Sequence, residues 1–132
     1  MSDLPTELLV LAWSTALLVA AILLQGQLAT RELGLDWNAG PRDGDRHPRG
    51  ALAGRAQRAL DNLKETYPAF VALALALAVS GRTGGLGAAG ALLWIAARVV
   101  YHPLYLLGVP YLRSLAWVAS MVGLLLMFVR LV

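Results

Sequence analysis

At 132 residues the chain has the length of one domain, and its 58% hydrophobic content, 14% charge and mean hydropathy of +0.64 set it far from the soluble average, so an integral membrane protein is expected. The absence of cysteine excludes a disulfide framework, a thiolate nucleophile and a zinc–thiolate site of its own, and two histidines, His47 and His102, are too few for a histidine-based metal site. The net charge of +3 and pI near 9.8 come from basic residues clustered beside apolar segments, where anionic lipid headgroups and the positive-inside rule account for them without a nucleic-acid partner.

Four apolar segments are each near the length needed to cross the hydrocarbon core. The first, 7–28, has no basic residue before it and is too long for a signal-peptide core, so it reads as a retained helix. A loop over 29–50 follows, rich in Gly, Pro and Asp and carrying Arg31, Arg42, Arg46 and Arg49. The second span, 51–79, opens on Arg55, Arg58, Asp61, Asn62, Lys64 and Glu65 and ends in a run of Ala, Leu and Val. A turn over 81–85 leads to the third span, 86–107, and Gly108-Val109-Pro110 to the fourth, 111–132. The first loop holds most of the Lys and Arg near span ends, which places it in the cytoplasm and both termini on the other side. The loop before Arg113 then shares the cytoplasmic face, and Arg130 at the far end reads as a snorkelling anchor. The fold class expected is all-α, an integral membrane four-helix bundle in one domain. The Gly and Ala of span three suit close helix packing, and the Gly–Ala-rich spans beside an Arg-rich loop have the composition of a bacterial inner-membrane protein.

Ionisable groups at membrane depth are costly and usually mark a site. At 100° per residue, Arg55, Arg58, Asn62 and Glu65 fall within an arc of about 80°, one polar stripe on span two. Span three repeats the pattern: Arg98, Tyr101 and Tyr105, with Trp94, fall within about 60°. Pro68 and Pro103 each remove a backbone donor and are expected to bend their helices near these stripes. Arg113 and Ser114 open span four, where an anion would meet both the arginine and free backbone N–H groups. Arginines that fork onto carboxylates, with Glu65 to take an ammonium, suit a small zwitterion richer in carboxylates than in amines.

Arg58-x-x-x-Asn62-x-x-Glu65-x-x-Pro68, then Arg98-x-x-Tyr101-x-x-x-Tyr105, then Arg113 opening the last span, resembles the MAPEG family, the membrane-associated proteins of eicosanoid and glutathione metabolism. The resemblance implies a homotrimer with glutathione bound between protomers near the cytoplasmic face. It implies that Arg58, Asn62 and Glu65 hold the tripeptide's polar groups, that Arg98, Tyr101 and Tyr105 complete the pocket, and that Arg113, helped by Ser114, stabilises the thiolate. The thiolate would attack a lipophilic electrophile arriving from the bilayer or reduce a lipid hydroperoxide. Two positions depart from the family pattern: Ala29 stands where relatives often carry a basic residue, with Arg31 two places on, and Trp117 stands where some have tyrosine.

Blander assignments remain for several residues. Arg55 is better read as a headgroup-facing anchor, Asp61 and Lys64 as off-stripe groups facing water or neighbours, and Trp13, Trp37 and Trp94 as packing or interface residues. His102 points about 60° away from Tyr105, a poor position for a general base. For the whole chain the alternative to a glutathione-dependent transferase or peroxidase is a catalytically silent accessory subunit of a larger membrane complex. A channel or transporter fits less well, because the charge clusters at one face.

Overall fold

The computed structural model describes residues 3–44, 46 and 49–132; Met1, Ser2, Asp45, His47 and Pro48 of the sequence reading lie outside them. The described residues form helices only: α1 (Thr6–Leu33), a short α2 (Leu35–Ala39), α3 (Ala51–Val79), α4 (Gly85–Leu106) and α5 (Pro110–Leu131). The long helices α3, α4 and α5 start and stop within one residue of expectation. Two Schellman motifs explain the sharpness of the stops. After α3, Gly81 takes φ 71° and donates to the Ala78 carbonyl while Arg82 N–H reaches Leu77. After α4, Gly108 takes φ 74° and donates to Tyr105 while Val109 N–H reaches Leu104. Both turns need a left-handed residue, which glycine supplies without a Cβ clash. Pro110 then starts α5 at a position where its missing N–H costs nothing.

The first helix is longer than expected. α1 continues five residues past 28, because Ala29-Thr30-Arg31-Glu32-Leu33 is polar without being helix-breaking; only Gly34, at φ 94°, stops it. At 1.5 Å per residue its 28 residues run about 42 Å, beyond the hydrocarbon thickness of about 30 Å. Part of the expected loop 29–50 is therefore helix, as the end of α1 and as α2. Three helices, α1, α4 and α5, are long and apolar enough to cross a membrane. α3 differs because its first four turns carry the polar stripe. Both α3 and α4 run unbroken through Pro68 and Pro103.

α3 and α4 pack against each other in the middle, α1 lies against both, and α5 lies against both from another side. The tightest seam is α4 on α5. A Cβ on Gly90 would stand 2.5 Å from the Gly123 carbonyl oxygen, and one on Gly123 would stand 2.6 Å from that of Gly90. These glycines let two backbones touch, as small residues do between membrane helices. Gly90→Val should accordingly force the seam apart and lower the thermal midpoint of the detergent-solubilised protein, by an amount equivalent to about 1–3 kcal/mol. A midpoint unchanged from wild type would mean the seam is not as close as described.

The core beneath the site is aromatic. Phe70 and Trp94 are wholly buried and stack at 3.9 Å with 5° between planes. Tyr67 leans on Trp94 at 6.1 Å, and its hydroxyl shares a 2.8 Å hydrogen bond with the buried Ser14 hydroxyl of α1. This cluster ties α1, α3 and α4 together one to two turns below the polar stripes. Two turns nearer the start of α1, Glu7 is wholly buried and its Oε1 accepts the Gly84 N–H at 2.7 Å, capping the start of α4.

Candidate functional site

Three helices bring polar groups to one cavity of about 340 Å³. It is lined by Asn62 from α3, Tyr101 and Tyr105 from α4, and Arg113, Ser114, Trp117 and Val118 from α5. The α4–α5 turn folds the start of α5 back beside the end of α4. That is why residues only eight apart in sequence, Tyr105 and Arg113, face each other: the Arg113 guanidinium lies 4.7 Å from the Tyr105 ring centre. The two tyrosine rings are 5.7 Å apart and tilted.

Behind this cavity lies Arg98, only 1% exposed. Its Nη1 donates to Asn62 Oδ1 at 2.9 Å and its guanidinium sits 4.4 Å from the Tyr101 ring centre. Its Nη2 is buried with no hydrogen-bond partner among the described residues. A buried cation with an unused donor is costly unless something anionic or polar completes it. Contact with an aromatic face recovers only part of that cost, about 1–2 kcal/mol. The electrostatics of the cavity are thus strongly cationic, with two guanidiniums, each over a phenol, and no carboxylate among the described residues that line it.

The remaining stripe residues behave differently. Arg58 and Glu65 are exposed and do not line the cavity, although they flank Asn62 on the same face of α3. The Arg58 guanidinium lies back along its own helix, 3.2 Å from where a Cβ on Gly54 would be. The Ser114 hydroxyl borders the cavity but donates to the Pro110 carbonyl at 3.2 Å. Arg55, expected as a headgroup-facing anchor, also reaches a helix end: its Nη1 donates to the Leu106 carbonyl at 3.4 Å, beside Gly108. There it compensates the exposed carbonyls at the end of α4. Asp61 and Lys64 are exposed. Trp94, on the α4 stripe by the helical wheel, belongs to the core stack instead.

His102 is buried and borders a separate apolar groove between α1 and α4. Among the described residues no three His, Cys, Asp or Glu side chains gather where a metal ion could sit. Two groups near these features escaped the sequence argument. Trp117, noted only as a departure, and Val118 form the apolar wall of the cavity; Trp117 lies four residues after Arg113, one helical turn along the same face. Glu7, a lone acid at the start of an apolar span, was a visible signal of a buried cap.

The description "MAPEG family" matches residues 10–132, all but the first turn of α1 and the residues before it. No curated protein and no solved structure matched the chain. With three apolar helices and a family match over essentially the whole sequence, the chain is an integral membrane protein that belongs to the MAPEG family.

Proposed function

We propose that the protein is a glutathione-dependent membrane transferase or peroxidase, and that the cavity bounded by α3, α4 and α5 is where the thiol is activated. The observation that carries this reading is the convergence of Asn62, Tyr101, Tyr105, Arg113 and Ser114 on one cavity, backed by a buried Arg98 with an unused donor. In this reading α3 is the fourth membrane span, its polar turns covered by a neighbouring protomer, and the whole chain is one domain. The segment 29–50 and the α4–α5 turn face the cytoplasm and both termini the other side. The assembly is a homotrimer, and Arg58 and Glu65, exposed in a single protomer, reach glutathione at the interface. That accounts for charges that would otherwise be left bare at membrane depth.

The division of labour follows from charge. Arg98 and Arg58 take the two carboxylates of the tripeptide by forked hydrogen bonds, Asn62 and the tyrosines fix its amides, and Glu65 takes the ammonium. Arg113, near the N-terminus of α5, faces the sulfur, where its charge and the backbone dipole both favour the thiolate. Ser114 can add a donor by turning its hydroxyl from Pro110. Trp117 and Val118 provide the apolar side from which a lipid-soluble substrate approaches.

In conjugation, the sulfur lone pair forms a C–S bond to the electrophilic carbon, and the leaving group departs with the bonding pair or, in an addition, the adjacent atom takes a proton. In hydroperoxide reduction, the thiolate sulfur bonds to the distal oxygen as the O–O bond breaks, giving the sulfenic acid, and the departing alkoxide takes a proton from solvent to leave as the alcohol. A second glutathione thiol then displaces water from the sulfenic acid to give the disulfide.

The test is turnover by the purified protein in detergent or nanodiscs, with a lipophilic electrophile and with a fatty-acyl hydroperoxide. Glutathione-dependent consumption of at least one, beyond the uncatalysed rate, is expected. Glutathione binding with neither substrate consumed, together with stable co-purification in a larger membrane complex, would favour the accessory role instead.

A further inference from the structure

His102 takes no part in the site above, and it borders a second opening, of about 200 Å³, between α1 and α4. Leu17, Ala20 and Leu24 of α1 line one side, and Val99, His102 and Pro103 of α4 the other. Ala20, Val99 and Pro103 are exposed, so the groove opens on the outer surface of two helices that are each long and apolar enough to cross a membrane. At 100° per residue, Val99 and Pro103 both stand about 160° round α4 from Tyr101. Groove and cavity therefore lie on opposite sides of that helix.

Two polar groups of the groove are left without partners. His102 is only 8% exposed, and its Nε2 is buried with no hydrogen-bond partner among the described residues. Pro103 sits inside α4 and has no N–H, so the Val99 carbonyl lacks the donor that a helix supplies four residues on. That carbonyl points along the axis toward the Pro103 ring, which itself lines the groove. Bare polar groups at hydrocarbon depth are costly. The groove thus asks for a ligand that is apolar along its length and carries one small polar group.

The pair of partners selects the chemistry of that group. A plain hydrocarbon satisfies neither, and an ether oxygen can accept from His102 but gives nothing to Val99. A carboxylate or phosphate would find no cation among the described residues that line the groove, and would face a carbonyl oxygen. A neutral hydroxyl meets both needs: its oxygen accepts from His102 Nε2–H while its hydrogen is donated to the Val99 carbonyl. We propose that the α1–α4 groove binds a membrane-dissolved, single-chain lipid bearing a neutral hydroxyl, held between His102 and Val99 with its chain along Leu17 and Leu24. This needs only that α1 and α4 lie in the bilayer, so it stands or falls apart from the glutathione reading.

Native mass spectrometry of the full chain released from detergent tests it, with oleyl alcohol, its methyl ether and oleate each added at equal concentration. Alcohol adducts should exceed ether adducts about fivefold, the worth of one neutral hydrogen bond, and oleate should be held more weakly than the alcohol. Pro103→Ala returns a donor to Val99 and should bring alcohol and ether to parity. His102→Phe should instead weaken both about fivefold and leave their ratio unchanged. Since alanine is welcome in a helix, Pro103→Ala keeps the inference testable if His102→Phe misfolds. Arg113→Ala, in the other cavity, should leave the alcohol preference intact. Equal alcohol and ether adducts on wild type, oleate held as tightly as the alcohol, or alcohol adducts untouched by both Pro103→Ala and His102→Phe would overturn it.

Discussion

If the proposed function holds, Arg113→Ala should move the pH–rate profile of glutathione turnover up by about two units and leave turnover slow at neutral pH. A thiol near pKa 8.5 is only about 3% ionised at pH 7, whereas a neighbouring cation that lowers it by two units, about 2.7 kcal/mol, makes it about 75% ionised. Losing the cation therefore removes about 25-fold of thiolate. Turnover should fall by less, because a more basic thiolate is also a better nucleophile and recovers part of that factor. A several-fold loss at pH 7 that disappears near pH 9 is the expected pattern. It separates a residue that sets the thiol's charge from one that merely packs on Tyr105, since lost packing would lower the rate equally at both pH values.

Arg98→Met should affect the glutathione-bound protein far more than the free one. In the free protein the guanidinium is desolvated with Nη2 unpartnered, so replacing it with an apolar chain of similar length removes a burial cost. Against this stands one lost hydrogen bond to Asn62, about 1–3 kcal/mol because the donor is charged. The thermal midpoint without glutathione should thus change little in either direction. The stabilisation that saturating glutathione gives wild type, about 2.7 kcal/mol at a hundredfold excess over Kd, should be lost. A midpoint that drops steeply while the glutathione effect persists would make Arg98 a structural residue, holding α3 to α4 through Asn62 and nothing more.

How far the sequence carried these assignments depended on what each residue signalled locally. The ends of α3 and α4 were legible because glycine in a left-handed turn ends a helix for a backbone reason that needs no tertiary context. The end of α1 was not, because the charge of Arg31 and Glu32 does not by itself unwind a helix; Gly34 does. α2, at five residues, gives no periodicity to detect.

The site divides in a similar way. A helical wheel assigns residues to a face, and Asn62, Tyr101 and Tyr105 do share a cavity with Arg113 and Ser114. It does not say how a long side chain lies along that face. Arg58 turns back toward Gly54, and Arg55 reaches across to the end of α4, although both occupy the same stripe as Asn62. Nor does it say what lies deeper: Trp94 shares an arc with Arg98 yet stacks on Phe70 in the core, because its ring sits a turn further from the cavity. Trp117 needed only the spacing from Arg113, and Glu7 needed the question of what a solitary acid does at the start of an apolar helix.

In the proposed function this cysteine-free chain borrows a sulfur and charges it. The most direct measurement is a glutathione titration of the purified wild-type protein at neutral pH, following the ultraviolet band of the thiolate together with proton release into weakly buffered solution. A saturable band accompanied by release of nearly one proton per glutathione bound is expected, both abolished in Arg113→Ala. Saturable glutathione binding with neither a thiolate band nor proton release would contradict it.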